Sequence, residues 1–125
     1  MTGLTYDTGM LIAAERGDRR AWVLHHRALL RDALPTVPTI VVVEAWRGAP
    51  ALARLLKGCH VEALDQRQAA RAGLLHGRSA VRVEAADAVV VEGALRRGDA
   101  VVTSNRGHFE ALTAGVDRRV QVIDI

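Results

Sequence analysis

Apolar and polar positions alternate in period along this chain between short β-like runs and longer helical stripes. Leu4 to Asp7 opens it as a short strand, Thr8 and Gly9 turn the chain, and Met10 to Glu15 makes one or two helical turns closed by Gly17. From Asp18 to Ala33 the residues Trp22, Val23, His26, Leu29, Leu30 and Ala33 recur at helical spacing, with Asp18 as N-cap and Pro35 as the stop. Thr36 to Val43 is ambiguous, since Ile40 to Val43 has strand propensity whereas Glu44 and the Ala-Trp-Arg after it prefer a helix. Pro38 fits a strand end followed by Thr39 as N-cap. That predicts a buried helix over 39–47 carrying Glu44 and ended by Gly48.

The second half continues the alternation. The pattern predicts a helix over 51–57, a strand over 60–63, and a helix over 66–76 with Ala69, Ala72 and Leu75 inward. Gly77, Arg78 and Ser79 follow as a loop. Glu84 to Arg97 reads as a helix with small residues on one side, ending at Gly98, the usual residue just past a helix end. A strand over 100–103, a short helix over 107–113 and a last strand over 120–123 complete the order. Strands that alternate with helices point to an α/β protein built on a parallel sheet.

Length and composition narrow the classes. With 125 residues, half of them hydrophobic, the chain suits one domain with one core, and residues 1–125 are read as a single unit. Tyr6, Trp22, Trp46 and Phe109 are its four aromatics, which argues against nucleic-acid binding by base stacking. The formal charge is +3, and Lys57 is the single lysine among 17 basic side chains. Arginine's planar fork suits phosphate, although a GC-rich genome gives the same bias. One cysteine, Cys59, excludes an internal disulfide and a thiolate metal cluster, and it reads as a buried small residue at a turn. No apolar stretch is long enough to span a bilayer, so a soluble, cytoplasmic protein is expected.

The candidate chemistry lies where hydrophobic runs start or end. Asp7 closes the first strand, Glu44 follows Val41–Val43, Asp87 opens an Ala/Val-rich stretch, and Asn105 follows Val101–Ser104. Each has a structural account when taken alone: a turn at Asp7, a solvated surface at Glu44, a helix N-cap at Asp87, a turn at Asn105. In an open parallel sheet, however, ligands gather outside the carboxyl ends of the strands. Carboxylates brought together there repel one another unless a cation neutralises them, and oxygen-only ligands favour Mg²⁺ or Mn²⁺ over Zn²⁺. The histidines lack ligand spacing, Ser79 and Ser104 lack His and Asp partners, and no phosphate-cradling glycine loop is present. Asp99, in Gly-Asp-Ala-Val, reads as part of a turn entering a strand. A small phosphatase or receiver-like domain shares the fold class, but Lys57 is badly placed for one.

Four blocks also carry a family resemblance. They are Tyr-Asp-Thr-Gly-Met-Leu-Ile (6–12), Val-Val-Val-Glu-Ala-Trp-Arg-Gly (41–48), Asp-Ala-Val-Val-Val (87–91) and Val-Val-Thr-Ser-Asn-Arg-Gly-His-Phe (101–109). In order and spacing they resemble PIN-domain proteins, and within that superfamily the VapC-type toxins of bacterial toxin–antitoxin pairs. The resemblance implies a Rossmann-like three-layer α/β/α sandwich with a mostly parallel sheet, and a Mg²⁺- or Mn²⁺-dependent endoribonuclease. By motif, Asp7, Glu44 and Asp87 take the places of the family's first three acids. Asn105 stands where many relatives have Asp, so one negative charge is missing. Thr8 and Thr103 would orient the metal shell through their hydroxyls, and Arg47 and Arg106 would guide the RNA backbone. The partners implied are a VapB-like antitoxin whose C-terminal segment fills the acidic groove, a tRNA or ribosomal RNA substrate, and a second copy of the chain. The alternative is a PIN-like module of weakened catalysis that binds RNA or protein.

Overall fold

The computed structural model describes residues 3–79, 83–113 and 120–125. Its strands are β1 (Leu4–Tyr6), β2 (Thr36–Pro38), β3 (His60–Glu62), β4 (Ala100–Thr103) and β5 (Val122–Asp124). Its helices are α1 (Thr8–Glu15), α2 (Arg19–Leu30), α3 (Thr39–Ala45), α4 (Pro50–Lys57), α5 (Gln66–Arg78), α6 (Ala85–Arg97) and α7 (Arg106–Thr113). The strands form one sheet in the order β3-β2-β1-β4-β5, and every pairing is parallel. From β1 the chain builds outward first through β2 and β3, then returns to the other side for β4 and β5. The direction of winding therefore switches between β1 and β4, the place where open α/β sheets leave a crevice at their carboxyl edge.

Alternation along β1 sets the layers. Tyr6 points toward α2, where its hydroxyl meets His25, while Thr5 points to the other face, where it meets Asp99 and Arg97 at the end of α6. The result is the α/β/α sandwich expected from the sequence. Leu4, Tyr6, Val37, Val101 and Val102 form the sheet's contribution to one continuous aliphatic core with Met10, Leu11, Val41, Leu52, Leu55 and Val91. Helix α6 is buried over Ala86 and Ala88–Ala94, so it is enclosed on nearly all sides and not only along a stripe of small residues. Glu92 is tolerated there because Arg96 pairs with it at 3.0 Å, and Arg96 and Arg97 both reach Glu62 on β3.

Several boundaries and one phase differ from expectation. Helix α1 begins at Thr8, because the Asp7 side chain caps it by accepting from the Met10 N–H. Thr39 is inside α3 rather than its cap: Pro38, extended at φ −64°, precedes the first turn with no side-chain cap bond, and the helix ends at Ala45. Residues 77 and 78 continue α5 to Arg78, held by a capping box between Asp65 and Gln68 at its start. β5 begins two residues later than expected, at Val122. In α2 the buried positions are Ala21, His25 and Ala28, whereas His26, Leu29 and Leu30 face out. Small side chains win that face because the helix lies close to its neighbours, with Gly58 against the His25 ring. Ala69 of α5 is likewise exposed, leaving Ala72 as its buried contact.

Candidate functional site

Asp7 leaves β1 at the switch point and starts α1, so its carboxylate is fixed by backbone at two ends. Its own N–H donates to the Val102 carbonyl of β4 at 3.2 Å, and its Oδ1 accepts from the Met10 N–H at 2.8 Å. The residue is only 5 % exposed. Burial pushes its carboxyl up to about 6, against hydrogen bonds from the Thr103 hydroxyl and the Met10 N–H that favour the charge, and the nearby charge of Asp87 pushes it further up. An acid held this way is one that a cation would return to its charged form.

Thr103, the last residue of β4, is fully buried and links two candidate positions. Its hydroxyl donates to Asp7 and accepts the Asn105 N–H at 2.8 Å. Asn105 is thereby placed just ahead of α7, at the same sheet edge, with its side chain exposed. Asp87 stands in the first turn of α6, after the Glu84 cap position, and is not itself the N-cap. Its charge reaches Asp7, and a carboxylate in the first turn suits the positive end of the helix.

Glu44 belongs to a second, more exposed part. It lies on the last turn of α3, and Thr8 Oγ1 donates to its Oε1 at 2.5 Å. Thr8 is the first residue of α1, adjacent to Asp7, so the hydroxyl ties the outer acid to the inner one. Among the described residues, no three His, Cys, Asp or Glu side chains are gathered closely enough to hold a metal ion by themselves. The arrangement is instead one buried acid, Asp7, with the half-buried Asp87 near enough for its charge to be felt, and with Glu44 and Asn105 at the margins. Such a donor set fits Mg²⁺, which keeps several waters and needs one or two carboxylates from the protein.

The two arginines expected to guide a polyanion are already engaged. Arg47 Nη1 donates to the carbonyls of Val43 and Trp46 at 3.2 and 2.7 Å, closing the end of α3. Arg106 Nε donates to Glu110 at 2.6 Å within α7, with both side chains more than half exposed. Ser104 is a contributor that the sequence did not single out for this role. Its hydroxyl packs over Gly9, whose missing side chain leaves room beside Asp7 Oδ1. The signal for it is the glycine two residues after Asp7. Away from the site, Cys59 donates to the Leu55 carbonyl, and burial pushes its thiol up to about 12, as suits a structural cysteine.

No family model matches the chain, and no curated protein matches it. Solved structures do. A chain of the DNA-bound VapBC complex from Salmonella typhimurium superposes with a TM-score of 0.70 at 20% identity, covering 99% of this chain and 98% of that one. A chain of a toxin–antitoxin complex from Klebsiella pneumoniae gives 0.68 at 21%, covering 99% and 100%. A chain of VapBC2 from Rickettsia felis, bound to a DNA fragment from its promoter, gives 0.75 at 12%, covering 98% of each. The fold of this chain is the fold found in those complexes.

Proposed function

We propose that this chain is a PIN-domain toxin of the VapC type, a metal-dependent endoribonuclease neutralised by a VapB-like antitoxin. The observation that carries the reading is Asp7: a carboxylate buried at the sheet's switch point, harder to ionise than a free acid and within range of the Asp87 charge. A fold shared over nearly the whole length with chains of toxin–antitoxin complexes supports the biological setting.

In this reading Asp7 and Asp87 would hold Mg²⁺ or Mn²⁺, and Glu44 and Asn105 would complete the oxygen donors around it. When bound, the ion supplies an activated water and offsets charge at the scissile phosphate. Thr103 keeps the Asp7 carboxylate aimed into the crevice, and its bond to the Asn105 N–H holds the neutral amide beside it. Thr8 holds Glu44 at the open side, where its second carboxylate oxygen is available to take the proton of an attacking water. Three acids and one amide carry less negative charge than four acids, which favours one tightly held ion over two.

The second reading, a PIN-like module of weakened catalysis, is favoured by two features: Glu44 is tied to Thr8, and among the described residues the acids do not form a closed group of three. Incubation of the purified protein with RNA and Mg²⁺ or Mn²⁺ separates the two. Cleavage that disappears in Asp7→Asn and Asp87→Asn supports the nuclease. RNA left intact by wild type and variants alike, with no growth arrest on induced expression, supports the module.

A further inference from the structure

We infer that an RNA strand leaves the acidic site along a trough on α2, with Arg16, Arg20, Arg27 and Arg31 as its phosphate contacts; this rests on the nuclease reading above. The trough starts beside Asp7. Gly9 and Ser104, which adjoin the Asp7 carboxylate, line a depression that also takes in Arg16 and Ile125. Ile125 then lines a second, larger depression of about 590 Å³ between α2 and the β5 edge, which carries Arg20, Arg27 and Arg31. The two depressions adjoin at this shared residue.

Helix geometry explains the row of arginines. Positions 20, 27 and 31 are spaced i, i+7 and i+11, which at 100° per residue keeps them within roughly 40° of one line over roughly 16 Å of helix. Among the described residues Arg16, Arg27 and Arg31 form no ion pair, and Arg20 gives only a long bond, 3.4 Å, to the Asp124 carbonyl. The two acids of the path do not cancel this charge. Asp18 is occupied as the α2 cap, accepting from the Arg20 and Ala21 N–H groups, and among the described residues Asp124 is the other side-chain carboxylate lining it, set against four arginines. The floor is aliphatic, from Leu4, Val23, Leu24 and Ile123, so it offers riboses and base faces an apolar bed with no aromatic stacking. Contacts of this kind read charge and not sequence. Arg47 and Arg106, by contrast, are spoken for by carbonyls and by Glu110.

The test uses metal-free protein in chelator and a labelled single-stranded RNA, with affinity followed as salt is raised. Each lost phosphate contact lowers the slope of log affinity against log salt by about 0.7, so Arg27→Gln/Arg31→Gln should flatten it by about 1.4 and weaken binding roughly tenfold at low salt. The control pair Arg67→Gln/Arg71→Gln on α5 should leave the slope alone, and both pairs are exposed, so unchanged melting curves confirm folding. An unchanged slope in the α2 pair overturns the path. Binding with the expected slopes but no hydrolysis in Mg²⁺ or Mn²⁺ sinks the nuclease reading and keeps the path.

Discussion

The Thr103 hydroxyl donates to the Asp7 carboxylate, joining the carboxyl ends of β1 and β4 through side chains as well as through the sheet. The same oxygen accepts the Asn105 N–H at 2.8 Å, so one buried hydroxyl sets both an acid and the start of α7. Thr103→Val keeps the shape and removes both bonds. It should cost about 1–3 kcal/mol of stability and lower RNA cleavage at least tenfold. Thr103→Ser should restore most of both, and a Val variant as active as wild type would remove Thr103 from the site.

Asp7 makes the metal-free protein sensitive to pH. Its folded carboxyl titrates at about 6, against 3.8 as the ordinary value, so folding favours the protonated form. That contribution is complete below the ordinary value and is lost as pH rises through about 6, leaving a cost of roughly 3 kcal/mol at neutral pH. Asp7→Asn should therefore be more stable than wild type at about pH 7.5 in chelator, with the gap closing toward about pH 4. Urea unfolding at the two pH values measures it; a gap of constant size would show that Asp7 is not the titrating group.

Metal should reverse that cost. With Mn²⁺ at a hundredfold excess over its dissociation constant, the wild-type fold should gain about 2.7 kcal/mol, read as a rise in Tm. Asp7→Asn and Asp87→Asn should lose the rise, and Glu44→Gln should keep part of it because Glu44 stands at the margin. Equal rises in all four proteins would place the ion elsewhere.

A second charged network holds the opposite face together. Burial raises the Glu62 carboxyl, but the Arg96 hydrogen bond and the charges of Arg97 and Arg96 outweigh it and hold it below its ordinary value. The depressed acid stabilises the fold above its ordinary value, and that support is lost as pH falls through the folded value. Acid unfolding of Glu62→Gln should accordingly be flatter below about pH 4.5 than that of wild type. Arg97→Met should be harsher, at roughly 3–5 kcal/mol, since among the described residues it takes from the buried Asp99 carboxylate its only cation and leaves it the Thr5 hydroxyl alone, while Glu62 keeps Arg96. Denaturation midpoints decide both.

Tyr6 and His25 meet at 2.9 Å in the core, under the edge of Trp22. Tyr6→Phe leaves the His25 Nδ1 without its buried partner and should cost about 1–3 kcal/mol with no change in metal response. A loss of metal response along with stability would tie this pair to the site.

How much was legible depends on what each residue answers to. Asp18 capping α2, Gly98 in the left-handed conformation at φ 70° after α6, and Pro50 at the start of α4 are local effects, and local sequence announces them. The phase of α2 was not legible, because Ala21, His25 and Ala28 face inward to suit Tyr6 and Gly58, residues far away in sequence. Arg47 looked free in sequence, yet it closes its own helix end.

The sequence by itself determined the order of strands and helices, the parallel sheet, and Asp7, Glu44, Asp87 and Asn105 as the positions to watch, since periodicity and caps are written in neighbouring residues. Only the tertiary structure decided how those four divide. Strand order puts β1 beside β4, and that adjacency buries Asp7 against Thr103 and within reach of the Asp87 charge, while Glu44 is left at the rim in the grip of Thr8. Burial and the distance between charges are properties of packed elements, which no single stretch of chain contains.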